Sequence, residues 1–152
     1  MRKNKGFTLL EMILVLGILA FIIAFIIPEF TGTRESIRDT ARKSDLKQIQ
    51  KALELYRQSS FPPLYPVDNT FLLTPGSCWS SGAGCAGNIY MKKVPGDPIK
   101  TPQAYYFYTP MAGDLRYTLC ACLEKSVDPD SVGGNCPGVT CSSGIKYELT
   151  EP

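Results

Sequence analysis

The alternation of apolar and polar positions divides this chain before any motif is considered. Residues 7–27 form an almost uninterrupted apolar run of 21, without helical or strand period and with one charge, at Glu11. At a helical rise of ~1.5 Å per residue the run is roughly 31 Å long, which matches a bilayer hydrocarbon core of about 30 Å. From Arg34 to Gln58 the pattern becomes periodic: Ile37, Ala41, Ile49, Leu53 and Tyr56 recur at spacings of three, four or eight, with Leu46 beside them. Asp39 is placed for an i,i+4 pair with Lys43, and Glu54 for an i,i+3 pair with Arg57. Ser59-Ser60 followed by Pro62-Pro63 ends the element. One helix from Phe7 to Gln58 would run about 78 Å. Gly17 and Pro28 are its weak points, one lowering helix propensity and the other removing a backbone donor.

Past residue 59 the chain reads first as loop and then as strand. Residues 59–103 carry Pro and Gly clusters, and Cys78 and Cys85, seven apart, are placed to staple them. Tyr105 to Thr109 and Leu115 to Glu124 flank a turn containing Ala112-Gly113-Asp114, the pattern of an antiparallel hairpin. In the second strand Tyr117, Leu119, Ala121 and Leu123 share one face suited to packing on the helix. Arg116, Thr118, Cys120, Cys122 and Glu124 share the other. Cys120 and Cys122 then lie about 6.5 Å or more apart, a poor geometry for bonding each other. Their expected partners are Cys136 and Cys141, in either pairing. Ile145 to Leu149 makes a last strand. Tyr65, Trp79, Tyr90, Tyr105, Tyr106, Phe107 and Tyr108 are read as core and sheet packing rather than as an adhesive surface. The fold class is α+β, a long N-terminal helix against a small antiparallel sheet with disulfide-stapled loops.

Charge and composition narrow the chemistry. There are 16 basic and 14 acidic residues, a net +2. Three of the basic ones, Arg2, Lys3 and Lys5, precede the apolar run, leaving 13 against 14 after it, about −1. No nucleic-acid partner is expected from such a balance. Basic residues before the span keep the N-terminus cytoplasmic, and no small-x-small site follows, which argues against an ordinary secretory signal. The sequence contains no histidine, the commonest general base and metal ligand. With no nucleophile motif or phosphate loop either, no enzyme and no cofactor are expected. All six cysteines lie from Cys78 to Cys141, which suits disulfides in an oxidising compartment. Four thiolates from Cys120, Cys122, Cys136 and Cys141 on zinc are the alternative, and a calcium loop at Asp128, Asp130 and Gly133-Gly134 is set against solvated turn residues. No metal is expected.

Glu11 remains to be explained, since a carboxylate within a span costs about 3 kcal/mol on insertion scales. Its surroundings supply a context. Lys5-Gly6-Phe7-Thr8-Leu9-Leu10-Glu11, with its basic leader, following apolar run and Pro28, resembles the prepilin cleavage motif of the type IV pilin and type II secretion pseudopilin family. Tyr90 to Pro98 with Tyr105 to Tyr108 resembles the head of the secretion pseudopilins, although the tail lacks the dense Asp-Gly pattern of their calcium site. The resemblance implies a leader at 1–6, a helix at 7–58 with 7–27 as membrane span and filament core, and a head at 59–152. That head would comprise an αβ-loop at 59–103 and a sheet with a disulfide-bonded C-terminal loop at 104–152.

The resemblance also implies cleavage between Gly6 and Phe7, N-methylation of Phe7, and pairing of Glu11 with the Phe7 amine of a neighbouring subunit. Gly17 and Pro28 are read either as a simple kink at the membrane surface or as points where the helix melts during assembly, as related filaments unwind near such a proline. Implied partners are further copies of the chain in a helical filament, the prepilin peptidase/methyltransferase, an inner-membrane assembly platform, and lipid before assembly. The implied location is the cytoplasmic membrane as a single-pass precursor, then a pilus or an envelope-confined pseudopilus. The implied function is that of a type IV pilus-like filament subunit. A pseudopilin of type II secretion or DNA uptake is the alternative within the class, and a monomeric membrane-tethered binding module the alternative outside it.

Overall fold

A computed structural model describes residues 6–26, 29–99, 106–110 and 115–152. The chain divides into two units, Met1–Glu35 and Ser36–Pro152, each taken by itself.

In the first unit helix α1 covers Leu9–Ile26. It is apolar all round, and none of its side chains is buried within the chain. Its mean hydropathy of 2.9 over 18 residues makes it long and apolar enough to cross a membrane. A helix of this kind must find its apolar surroundings outside its own chain. Phe21 and Phe25, one turn apart, meet edge to face at 4.9 Å. Of the element expected from Phe7 to Gln58 two stretches are described, α1 and α2, the latter at Glu29–Ser59, with Ile27 and Pro28 between them outside the described residues. The start at Leu9 rather than Phe7 has a local cause, given below.

In the second unit α2 presents a buried stripe that begins with charges. Asp39, Arg42, Leu46, Ile49 and Leu53 follow at spacings of three and four, all at most 2% exposed. Ile37, expected on the apolar face, is 64% exposed, and Ala41 is half-buried. The stripe is set one position differently at this end because Asp39 and Arg42 occupy it, and they tolerate burial because they are paired. The helix ends where Ser59 and Ser60 turn their hydroxyls back onto the Tyr56 carbonyl, at 2.9 and 2.8 Å.

The segment read as loop contains a small sheet of β1 (Trp79–Ser80) and β2 (Ile89–Met91), antiparallel. Trp79 stacks on Phe71 at 4.1 Å and on Tyr56 at 5.6 Å, so this loop packs through aromatic rings. The main sheet has β3 (Phe107–Pro110), β4 (Tyr117–Cys122), β5 (Val132–Gly133) and β6 (Ile145–Thr150), in the order β3-β4-β6-β5 and antiparallel throughout. The short edge strand β5 had no signal in the sequence. Tyr105 and the turn at 112–114 lie outside the described residues. Alternation along β4 sends Tyr117, Leu119 and Ala121, with Leu123 just beyond, into the core at 0–1% exposure. There they join Leu46, Ile49 and Leu53 of α2 with Tyr65, Val94, Tyr106, Tyr108 and Tyr147. Each large apolar side chain so covered contributes about 1.5–3 kcal/mol.

Candidate functional site

The N-terminal end of α1 is held by Thr8 and Glu11. The Thr8 carbonyl accepts the first helical hydrogen bond, from the Met12 N–H at 3.2 Å, which makes Thr8 the N-cap. Its hydroxyl Oγ1 accepts from the Glu11 N–H at 3.2 Å. In return Glu11 Oε2 accepts from the Thr8 N–H at 3.0 Å and from the Thr8 hydroxyl at 3.1 Å. This is a capping box: two backbone donors that a helix start leaves unpaired are satisfied by two side chains. The Thr-x-x-Glu capping signal stands in the sequence at Thr8 and Glu11, so Thr8 joins Glu11 as a site residue.

Gly6 and Phe7 precede the helix, and Phe7 is 78% exposed. A Cβ added at Gly6 or at Gly17 would meet nothing within 4 Å. Neither glycine is demanded by the chain's own packing, so a requirement for glycine at these positions would come from another molecule.

In the head the structure pairs all six cysteines: Cys78 with Cys85, Cys120 with Cys136, and Cys122 with Cys141. The two bridges from β4 hold the loop between Cys136 and Cys141 over the outer face of the sheet, burying Cys120, Cys136 and Cys141. The sulfurs of Cys122, Cys136 and Cys141 lie within 4.8 Å of one another. All three are spent in disulfides, so they are not available as zinc thiolates.

Charge completes the clamp. Arg42, 2% exposed, donates to Asp39 and Asp97, each at 2.7 Å, and pairs with Glu124 at 2.7 Å. Burial alone would lower the pKa of its guanidinium, but Asp97, Glu124 and Asp39 together hold it above the ordinary arginine value. Asp39 also accepts the backbone N–H groups of Glu124 and Lys125 at 2.9 Å each, where the chain leaves β4. Arg38 donates to Glu124 and, with Arg42, holds that carboxyl below the usual glutamate range. The expected Asp39–Lys43 pair is therefore not formed. Asp39 turns to Arg42, and Lys43 reaches Asp128 and Asp130 instead. The Asp128 side chain is only 15% exposed against Lys43, whereas Asp130, which the same ammonium reaches, is 65% exposed and stays solvated. Glu54 and Arg57 do approach, at 3.9 Å.

An N-terminal helix long and apolar enough to cross a membrane, with a capped carboxylate near its start and joined in sequence to an α+β head, is the arrangement of the pilin class. The description of the prokaryotic N-terminal methylation motif matches residues 1–27. The type II secretion system core protein G of Pseudomonas aeruginosa is 30% identical over 109 residues, covering 68% of this chain and 74% of that protein. The protein of the same name from Vibrio cholerae is 29% identical over 100 residues, covering 64% and 67%. The type IV wide pilus major component PilA4 of Thermus thermophilus is 37% identical over 57 residues, covering 38% and 44%. No solved structure matches the chain. The chain belongs to the type IV pilin and type II secretion pseudopilin family.

Proposed function

We propose that this chain is a filament subunit, made as a single-pass precursor of the cytoplasmic membrane, cut between Gly6 and Phe7 and polymerised through α1 with further copies of itself. One observation carries the reading: α1 is apolar on every side, buries no side chain within its own chain, and holds one carboxylate, Glu11. Packing against copies of itself covers the apolar surface and replaces lipid. The new amine on Phe7, N-methylated after the cut, is the cation that Glu11 of a neighbouring copy takes up. Two charges that are each costly in lipid become tolerable as a pair and fix the stagger between subunits. Gly17 and Pro28 are the places where the helix gives way during assembly. A prepilin peptidase supplies the cut, lipid surrounds α1 beforehand, and an inner-membrane platform drives assembly. The role is structural rather than catalytic.

A particular observation favours the pseudopilin form. The likeness to core protein G covers 68% of the chain and so runs into the head, whereas that to PilA4 covers 38%. The test combines N-terminal mass spectrometry of the mature protein with electron microscopy of sheared surface fractions. A mature chain beginning at methylated Phe7 is expected, with long surface filaments for a pilus or an envelope-confined fibre for a pseudopilus. A chain that stays uncut and never polymerises would leave a tethered binding module as the better description.

A further inference from the structure

We propose that Thr8 is a positioning residue for the cut: by capping α1 it holds the helix start at Leu9 and keeps the Gly6–Phe7 bond outside the helix. The proposal rests on the reading of Gly6–Phe7 as the scissile bond and adds what presents that bond to the peptidase.

The argument turns on one donor. In a helix that continued toward the N-terminus, the Glu11 N–H would bond the carbonyl of Phe7, four residues back. Here Thr8 Oγ1 takes that N–H at 3.2 Å, and the first helical bond is Met12 N–H to the Thr8 carbonyl. The Thr8 N–H is likewise diverted, to Glu11 Oε2 at 3.0 Å rather than to a carbonyl further back. Removing the hydroxyl frees the Glu11 N–H, and the Phe7 carbonyl, four residues back, is the acceptor a continuing helix supplies. Helix then forms up to the bond that must be cut.

Cleavage of a folded segment follows the population of its open form when opening is fast. A helix drawn back over Phe7 lowers that population by the factor a cap is worth, about 5-fold for a typical N-cap. Glu11 has the lesser part in this step, because the Thr8 hydroxyl can cap without the carboxylate reaching back. The same box therefore separates two jobs: Thr8 governs presentation of the bond, and Glu11 governs pairing after it is cut.

The experiment follows conversion of full-length precursor to mature chain by pulse-chase gels in producing cells. Thr8→Val, which keeps shape and loses the hydroxyl, should slow cleavage about 5-fold. Thr8→Ser and Thr8→Asn, two capping residues of different shape, should both cut near the wild-type rate. In detergent micelles, backbone chemical shifts should show the helix reaching Phe7 in Thr8→Val and stopping at Leu9 in Thr8→Asn. Wild-type cleavage of Thr8→Val overturns the proposal. So does rescue by Ser without Asn, since the peptidase would then be reading the hydroxyl itself. A wild-type chain that is never cut overturns the processing reading too, and is told apart by the behaviour of the wild type alone.

Discussion

Glu11 and Asp39 are both carboxylates in helices where a carboxylate is costly, and the chain treats them differently. Asp39 is 1% exposed, receives the guanidinium of Arg42 and the backbone N–H groups of Glu124 and Lys125 from across the head. Its demands are met within the same chain, by Arg42 three residues on and by two backbone donors 85 and 86 positions away. Glu11 lies on an exposed apolar helix and is served by Thr8, three residues away, through Oε2 alone among the described hydrogen bonds. A carboxylate satisfied by its own fold is a structural residue. One held by a single local partner, on a surface the chain leaves uncovered, is available to another molecule. The head is built to stand alone, and the first helix is built to be completed.

The largest expected effect is the loss of that completion. Glu11→Ala should reduce filament yield at least 10-fold, read by electron microscopy and by sheared-fraction gels, while the thermal midpoint of the head stays within about 1 °C. The 10-fold figure corresponds to about 1.4 kcal/mol per subunit contact, below the cost of an unpaired charge in lipid. Abundant filaments from this variant would sink the pairing.

Arg42→Met tests the other side of the comparison. It leaves Asp39, Asp97 and Glu124 facing one another without their shared cation, and should cost about 3–5 kcal/mol by chemical denaturation. Adding Asp39→Asn and Asp97→Asn should recover part of that loss, because the penalty belongs to stranded charge rather than to the missing bond. If the triple variant is no better than the single, Arg42 matters through packing. Leu53→Ala, which opens a cavity in the same core, should cost about 2–5 kcal/mol with no effect on cleavage.

How far these features could be read from sequence follows the same division. The apolar run, the motif around Gly6 and Glu11, and the alternation of Tyr117, Leu119, Ala121 and Leu123 are local patterns, and the helix and strand they imply are present. The buried stripe of α2 begins with Asp39 and Arg42, where the apolar period points to Ile37 and Ala41; only Asp97 and Glu124, 55 and 82 positions beyond Arg42, make the burial of those charges tolerable. Nor does spacing within the sequence reveal that Lys43 prefers Asp128 and Asp130 to Asp39. The choice between the two cysteine pairings also depends on where the loop crosses the sheet. Thr8 was the opposite case, since its capping partner is three residues away and its signal was present throughout.

The smallest expected effect is on pH dependence, and it separates carboxyls of the head by sign. Glu124 is held below the usual glutamate range, chiefly by the hydrogen bond from Arg38 and then by Arg42. Its contribution to stability is therefore fully present above the unfolded-state value of about 4.3 and is lost as pH falls through its lower folded value. Asp45 is shifted the other way: burial raises it, the Tyr106 hydroxyl donating at 2.6 Å opposes that, and Asp97 adds to the rise. The folded state thus favours the Asp45 proton, and stability is gained as pH falls through its raised folded value toward the unfolded one near 3.9. Thermal melts between pH 7 and pH 3 should show a midpoint that falls on the acid side, by about 4–8 °C for each kcal/mol lost. Glu124→Gln should flatten that fall, and Asp45→Asn should steepen it by removing the opposing gain. Parallel melting curves for both variants and the wild type would show that neither carboxyl is held by the head in the way its contacts require.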